Sequence, residues 1–126
     1  MLVDAKSIIS RLTKTAVAAL QASVVHAMNA GHYEVTVEHM FHSLLENAES
    51  DVAFLAMHYD LDPTGLKTTL ARSLEGLRTG NAGKPTFSPR LLDWFQDSFT
   101  VGSLLYGYNK VRTGVLFSQL VTQGSN

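Results

Sequence analysis

The chain has 126 residues, 10 Lys plus Arg against 11 Asp plus Glu for a formal net charge of -1, and no Cys. The missing Cys excludes disulfides, thiolate metal sites and cysteine nucleophiles together. The charge balance excludes nucleic acid or an anionic membrane as the main partner, since both are met by a basic surface. With 45% hydrophobic residues, the chain is expected to form one ordered domain with its own core. Only 17% of residues are charged, below the roughly 25% of an ordinary soluble domain, and an uncharged surface suits a protein partner. No apolar run approaches the roughly 20 residues of a membrane span, and Asp4 interrupts any signal-peptide core, so the expected compartment is the cytoplasm.

The elements read as helices throughout. Ala5, Ile8, Ile9 and Leu12 fall at helical spacing behind Asp4, a candidate N-cap. Thr13 caps a second helix that runs to about Ala30 and stops at Gly31; its apolar positions are rich in Ala. Thr36 caps a third, with Val37, Met40, Phe41, Leu44 and Leu45 on one face and Glu38 favourable to the helix dipole. Ser50 opens a short helix through His58, and Asp62 with Pro63 opens another to about Leu77. Residues 78–86, RTGNAGKPT, break the periodicity and read as a linker. Ser88 and Pro89 repeat the cap-plus-proline signature before a helix interrupted at Gly107, and a last helix covers about Thr113 to Val121. No segment alternates with period two long enough for a strand.

The chain repeats itself. A shift of 75 places Leu12 on Phe87, Thr13 on Ser88, Val17 on Leu92 and Leu20 on Phe95; a shift of 76 then places Gly31 on Gly107, Val35 on Val111 and Phe41 on Phe117. The domain is therefore expected to be an all-α, pseudo-twofold bundle, with a first repeat over about 13–77, a linker over 78–86 and a partial second repeat over 87–122.

Leu12-Thr13, Gly31, Thr36 and VEHMFHSLL (Val37 to Leu45), with Phe87-Ser88-Pro89-Arg90 opening the second copy, resemble the N-terminal domain of the Clp/Hsp100 AAA+ unfoldases. The second copy departs from the pattern, because Val111 to Leu120 lacks the EH pair. The segment Leu77 to Pro89 and the amphipathic stretch before Thr13 are most similar to the ClpV branch, the type VI secretion ATPases. The resemblance implies a parent protein, hexameric, whose two ATPase modules lie outside this chain. It further implies a binding role: the domain holds an N-terminal helix of the larger subunit of the contractile sheath, so that the motor can disassemble and recycle it. The alternative within the family is a domain that docks adaptors or degradation substrates for a protease-linked unfoldase.

An amphipathic guest helix needs a slot with small residues as floor and larger apolar residues as walls. Ile8, Ile9 and Leu12, with Thr15, Ala16, Ala19 and Leu20 and the second-copy residues Phe87, Leu91 and Phe95, are the candidates for it; the same spacing equally marks a core. Lys6, Thr15 and Arg90 are its polar neighbours. No cofactor or metal is expected. His39 and His42 follow Glu38 in the order Glu-His-x-x-His, whereas a zinc protease places its ligands at i and i+4 of His-Glu-x-x-His, so a capping or packing role at the helix start suits His39 better. GNAGKP, Gly80 to Pro85, lacks the four-residue spacing and terminal hydroxyl of a phosphate loop. Ser23 and His26 lie three apart on a helix without an oxyanion-hole signal, so no catalytic residue is assigned and the chain is read as a binding domain, not an enzyme.

Overall fold

The computed structural model describes residues 5–46, 52–106, 110, 111, 115–117 and 119. Among these residues the main elements run α1 Ala5–Ile9, α2 Lys14–Ala30, β1 Glu34–Val35, α3 Val37–Glu46, α4 Val52–His58, α5 Pro63–Glu75, β2 Thr86–Phe87 and α6 Pro89–Tyr106. Residues 115–117 are also helical, within the expected last helix. The expected caps Asp4 and Ser50 and the interruption at Gly107 lie outside the described residues.

Local chemistry sets the helix boundaries. Thr13 accepts a hydrogen bond from the Ala16 amide at 3.4 Å, and Thr36 accepts one from the His39 amide at 3.4 Å. Asp62 accepts from the Thr64 amide at 3.2 Å with Pro63 at the first helical position. Ser88 accepts from the Leu91 amide at 3.1 Å. Each satisfies one of the amides that a helix start leaves without an intrahelical partner. Gly31 closes α2 at φ +73, a left-handed conformation that glycine adopts without the steric cost of a Cβ.

The two strands are a departure from the helical expectation. They pair in parallel, Glu34 with Thr86 and Val35 with Phe87. Two residues carry no alternation, so only the tertiary fold makes them a strand. A second parallel bridge joins Leu12 to Val111. By the repeat, Leu12 matches Phe87 and Val111 matches Val35, so the two bridges are images of one another. Their hydrogen bonds match as well: the Thr13 amide donates to the Val111 carbonyl and the Ser88 amide to the Val35 carbonyl, both at 3.0 Å. Each repeat thus pairs the entry of its own long helix with the crossover of the other, which is the pseudo-twofold relation the sequence shows.

The core lies where these elements meet. α3 packs on α2, α4, α5 and α6, and α1 packs on α6. Val35, Met40, Leu44, Leu91, Phe95, Leu116 and Phe117 are fully buried, and burying a side chain of that size contributes roughly 1.5–3 kcal/mol. Ala16, Ala19 and Ala27 line the buried face of α2, where small side chains let neighbouring backbones approach. Trp94 adds a polar tie, its indole N–H donating to the Leu116 carbonyl at 3.0 Å.

The segment between the repeats is anchored, not a free linker. The Asn81 amide donates to the Gly31 carbonyl at 3.0 Å, and its side-chain Nδ2 donates to the His32 carbonyl at 3.0 Å. Asn81 Oδ1 accepts from the Gly83 amide at 3.0 Å. The Arg78 guanidinium sits 5.0 Å from the centre of the Tyr33 ring. A Cβ on Gly31 would lie 3.3 Å from the Gly80 nitrogen, so that glycine serves both the helix stop and this close approach.

Candidate functional site

α1 is the element that the two repeats do not share, and it is tied firmly to the second one. Lys110 Nζ donates to the Ser10 carbonyl at 3.0 Å, the Arg11 guanidinium lies 4.6 Å from the Phe99 ring centre, and Leu12 holds the bridge to Val111. Guanidinium over an aromatic face is favourable by about 0.5–1 kcal/mol at exposed positions. The helix therefore packs on α6 with its C-terminal end held, and Lys6 and Ser7 are exposed.

The ten candidate groove residues separate by exposure. Ile8, Leu12, Ala16, Ala19, Leu20, Leu91 and Phe95 are buried. They belong to the core cluster, which their own chain fills, so they offer a guest no open surface in this arrangement. Seven of the ten are thus covered by the chain's own core, since helical spacing marks an apolar face without saying what covers it. Ile9, Thr15 and Phe87 remain half-buried. Ile9 and Phe87 pack against the core with one side and keep the other accessible. Of the polar neighbours, Lys6 and Arg90 are exposed.

Ser23 is buried, donates to the Ala19 carbonyl at 2.8 Å and lies 3.0 Å from Ser43 Oγ. Its hydroxyl joins α2 to α3 instead of facing His26, so geometry gives the serine-hydrolase idea no nucleophile–base pair. His39 does stand at a helix start. Its Nδ1 accepts from the Thr36 amide at 2.9 Å, and its Nε2 lies 2.8 Å from His32 Nδ1. The His26 ring centre is 5.6 Å from that of His39, 6.2 Å from His32 and 5.9 Å from His42. His42 Nδ1 in turn lies 3.1 Å from Glu46 Oε1. Sequence reasoning missed this four-imidazole cluster, because spacings of six, seven and three match no template. Burial, then the neighbouring imidazoles His32, His26 and His42, lowers the pKa of His39 to about 4. Burial and His26 lower that of His32, opposed by a hydrogen bond from the ring to the Leu74 backbone. Among the described residues no group of three histidine or carboxylate side chains is arranged to hold a metal ion.

Residues 11–125 match the family model described as the Clp repeat (R) N-terminal domain. The chain belongs to that family. As a Clp N-terminal domain it is 27% identical over 110 residues to the AAA+ ATPase ClpV1 of Pseudomonas aeruginosa, a match over 87% of this chain and 12% of the relative. The chain thus spans about an eighth of the length of that curated relative. Among solved structures it is similar to a ClpV N-domain in complex with a VipB peptide, at TM-score 0.86 and 24% identity, covering 99% of this chain and 76% of the other. It is equally similar to the N-terminal domain of the ClpV1 ATPase from the E. coli EAEC Sci1 type VI secretion system, at TM-score 0.86 and 24% identity over 95% and 73%. At that identity the two structures establish a shared fold, the all-α Clp N-domain bundle.

Proposed function

We propose that this chain is the substrate-recognition domain of a type VI secretion AAA+ ATPase and binds an N-terminal helix of the contractile sheath subunit. The motor modules of the parent protein would then act on the captured subunit; the domain itself binds and does no chemistry. The observation that carries this reading is α1, whose following residues Ser10, Arg11 and Leu12 are tied to the second repeat at Lys110, Phe99 and Val111, with accessible apolar surface at Ile9. The likeness to a ClpV N-domain that binds a VipB peptide supports it. We place the docking face on the exposed side of α1, around Ile9, with Thr15 and Phe87 as further candidates, and the buried residues Ile8, Leu12, Ala16, Ala19, Leu20, Leu91 and Phe95 as the base that holds it. An amphipathic guest helix gains there by covering the accessible part of Ile9.

The test is a titration of the chain with a labelled peptide of the larger sheath subunit's N-terminal helix. Saturable binding is expected, and Ile9→Asp should remove it while the circular dichroism melt stays cooperative. Deleting residues 1–12 outright is a poorer test, since Ile8 and Leu12 are core residues. Absence of binding at millimolar peptide would overturn the proposal and favour the adaptor-docking role within the family.

A further inference from the structure

The histidine cluster lies away from the face just described, and it has its own logic. The Thr36 amide N–H points at His39 Nδ1 from 2.9 Å, so that nitrogen holds a lone pair. The ring proton of His39 is then on Nε2, where it donates to His32 Nδ1 across 2.8 Å. His32 in turn carries its proton on Nε2, and the Leu74 backbone accepts a hydrogen bond from the ring, the interaction that favours its charged form. One proton relay pattern therefore ties the start of α3, the crossover after α2 and the end of α5.

A further proton can enter the pair at either ring. If His39 takes it, Nδ1 becomes a donor, for which Thr36 Oγ1 at 2.8 Å is the acceptor, and it no longer accepts from the Thr36 amide. If His32 takes it on Nδ1, the His39 proton must leave Nε2 for Nδ1, with the same result. In both cases Thr36 loses the acceptor of its amide. Thr36 directly follows β1, whose residue Val35 carries the pairing to β2.

We propose that the His32–His39 pair is an acid-sensitive latch on the crossover between α2 and α3, whose protonation releases the β1–β2 contact between the repeats. Around the pair stand His26 from α2, and His42 with Glu46 from α3. Glu38 beside His39 and Lys67 on α5 are half-buried. Glu34 of β1, His58 of α4, Arg72 and Glu75 of α5, and Arg90, Asp93 and Asp97 of α6 are exposed. The electrostatic neighbours of buried His39 are three imidazoles, none of which supplies negative charge to hold a proton. The device is one-sided. At the matching position the second repeat carries buried Val115, so the image bridge, Leu12 to Val111, has no latch and serves as an internal control.

Amide hydrogen exchange on the full chain, expressed as protection factors at pH 7.5 and pH 5, tests this. The Thr86 and Ser88 amides report the latched contact through Tyr33 and Val35; the Thr13 and Val111 amides report its image. With a pKa of about 4 closed and 6.5 open, linkage gives an about 30-fold fall in protection at Thr86 and Ser88. Thr13 and Val111 should keep theirs. His39→Gln, which retains an acceptor and a donor but does not titrate, should abolish the fall. Equal loss at both bridges, or a fall that persists in His39→Gln, would overturn the proposal. Should that variant not fold, imidazole 15N shifts of the unmodified chain decide it: Nδ1 of His39 must take up the proton over the same pH range as the opening, and opening without that uptake refutes the latch.

Discussion

Replacing Asn81 with Ala tests whether the segment between the repeats is structural. The side chain makes two hydrogen bonds, Nδ2 to the His32 carbonyl and Oδ1 from the Gly83 amide, each 3.0 Å long. The first is half-buried and the second exposed, so a net contribution of about 1 kcal/mol and about 0.5 kcal/mol is expected, or about 1.5 kcal/mol together. The backbone bond from the Asn81 amide to Gly31 survives the substitution, which keeps the loss from growing larger. Unfolding entropy of about 2.1 cal/mol/K per residue over 126 residues converts this to a fall in Tm of about 6 °C. The assay is a thermal melt by circular dichroism beside the control Asn29→Ala, at an exposed position on α2. A Tm for Asn81→Ala that matches the control would refute the anchoring and restore a free linker.

Two further predictions concern stability. Ser88→Ala should cost about 1–2 kcal/mol and Thr13→Ala about 0.5–1 kcal/mol in urea melts, because Ser88 is buried with a 3.1 Å cap bond while Thr13 is half-buried with a 3.4 Å one; the reverse order would contradict the cap geometry. For His39 the folded pKa is depressed from 6.5 to about 4, so the neutral ring stabilises the fold above pH 6.5 and that stability is lost as pH falls through 6.5 towards 4. Between pH 7.5 and pH 5 this amounts to about 2 kcal/mol, read as the difference between the unmodified chain and His39→Gln in urea melts at the two values. An equal pH response of both proteins would show that His39 is not the group responsible.

What could be read from the sequence divides along physical lines. Thr13, Thr36, Asp62 with Pro63, and Ser88 with Pro89 declare their helix starts because a cap acts over three residues. The repeat likewise announced the pseudo-twofold bundle, since apolar positions recur at a fixed shift. The two-residue strands were invisible, because their pairing joins residues 52 apart and no local pattern encodes it. Asn81 looked like part of a linker for the same reason: its partner, His32, lies 49 residues away. At the candidate site, periodicity identified Ile8, Leu12, Ala16, Leu91 and Phe95 as apolar and inward. It could not separate a groove waiting for a guest from a face already covered, and the structure finds these five covered.

The reciprocal bridges also bear on how the chain reaches its native state. Leu12 must find Val111, and Val35 must find Phe87, so each closure spans most of a repeat or more. Helical proteins usually fold fast because their contacts are local, whereas long-range closure carries an entropic cost that must be met before the non-local contacts compensate it. Here the helices can form early, yet the seam between halves forms only once both are present. Refolding should therefore be slower than for a helical bundle of the same length with nearest-neighbour packing, and neither half should hold its tertiary structure alone. Two separately made halves carry complementary edges, and mixing them should restore the seam.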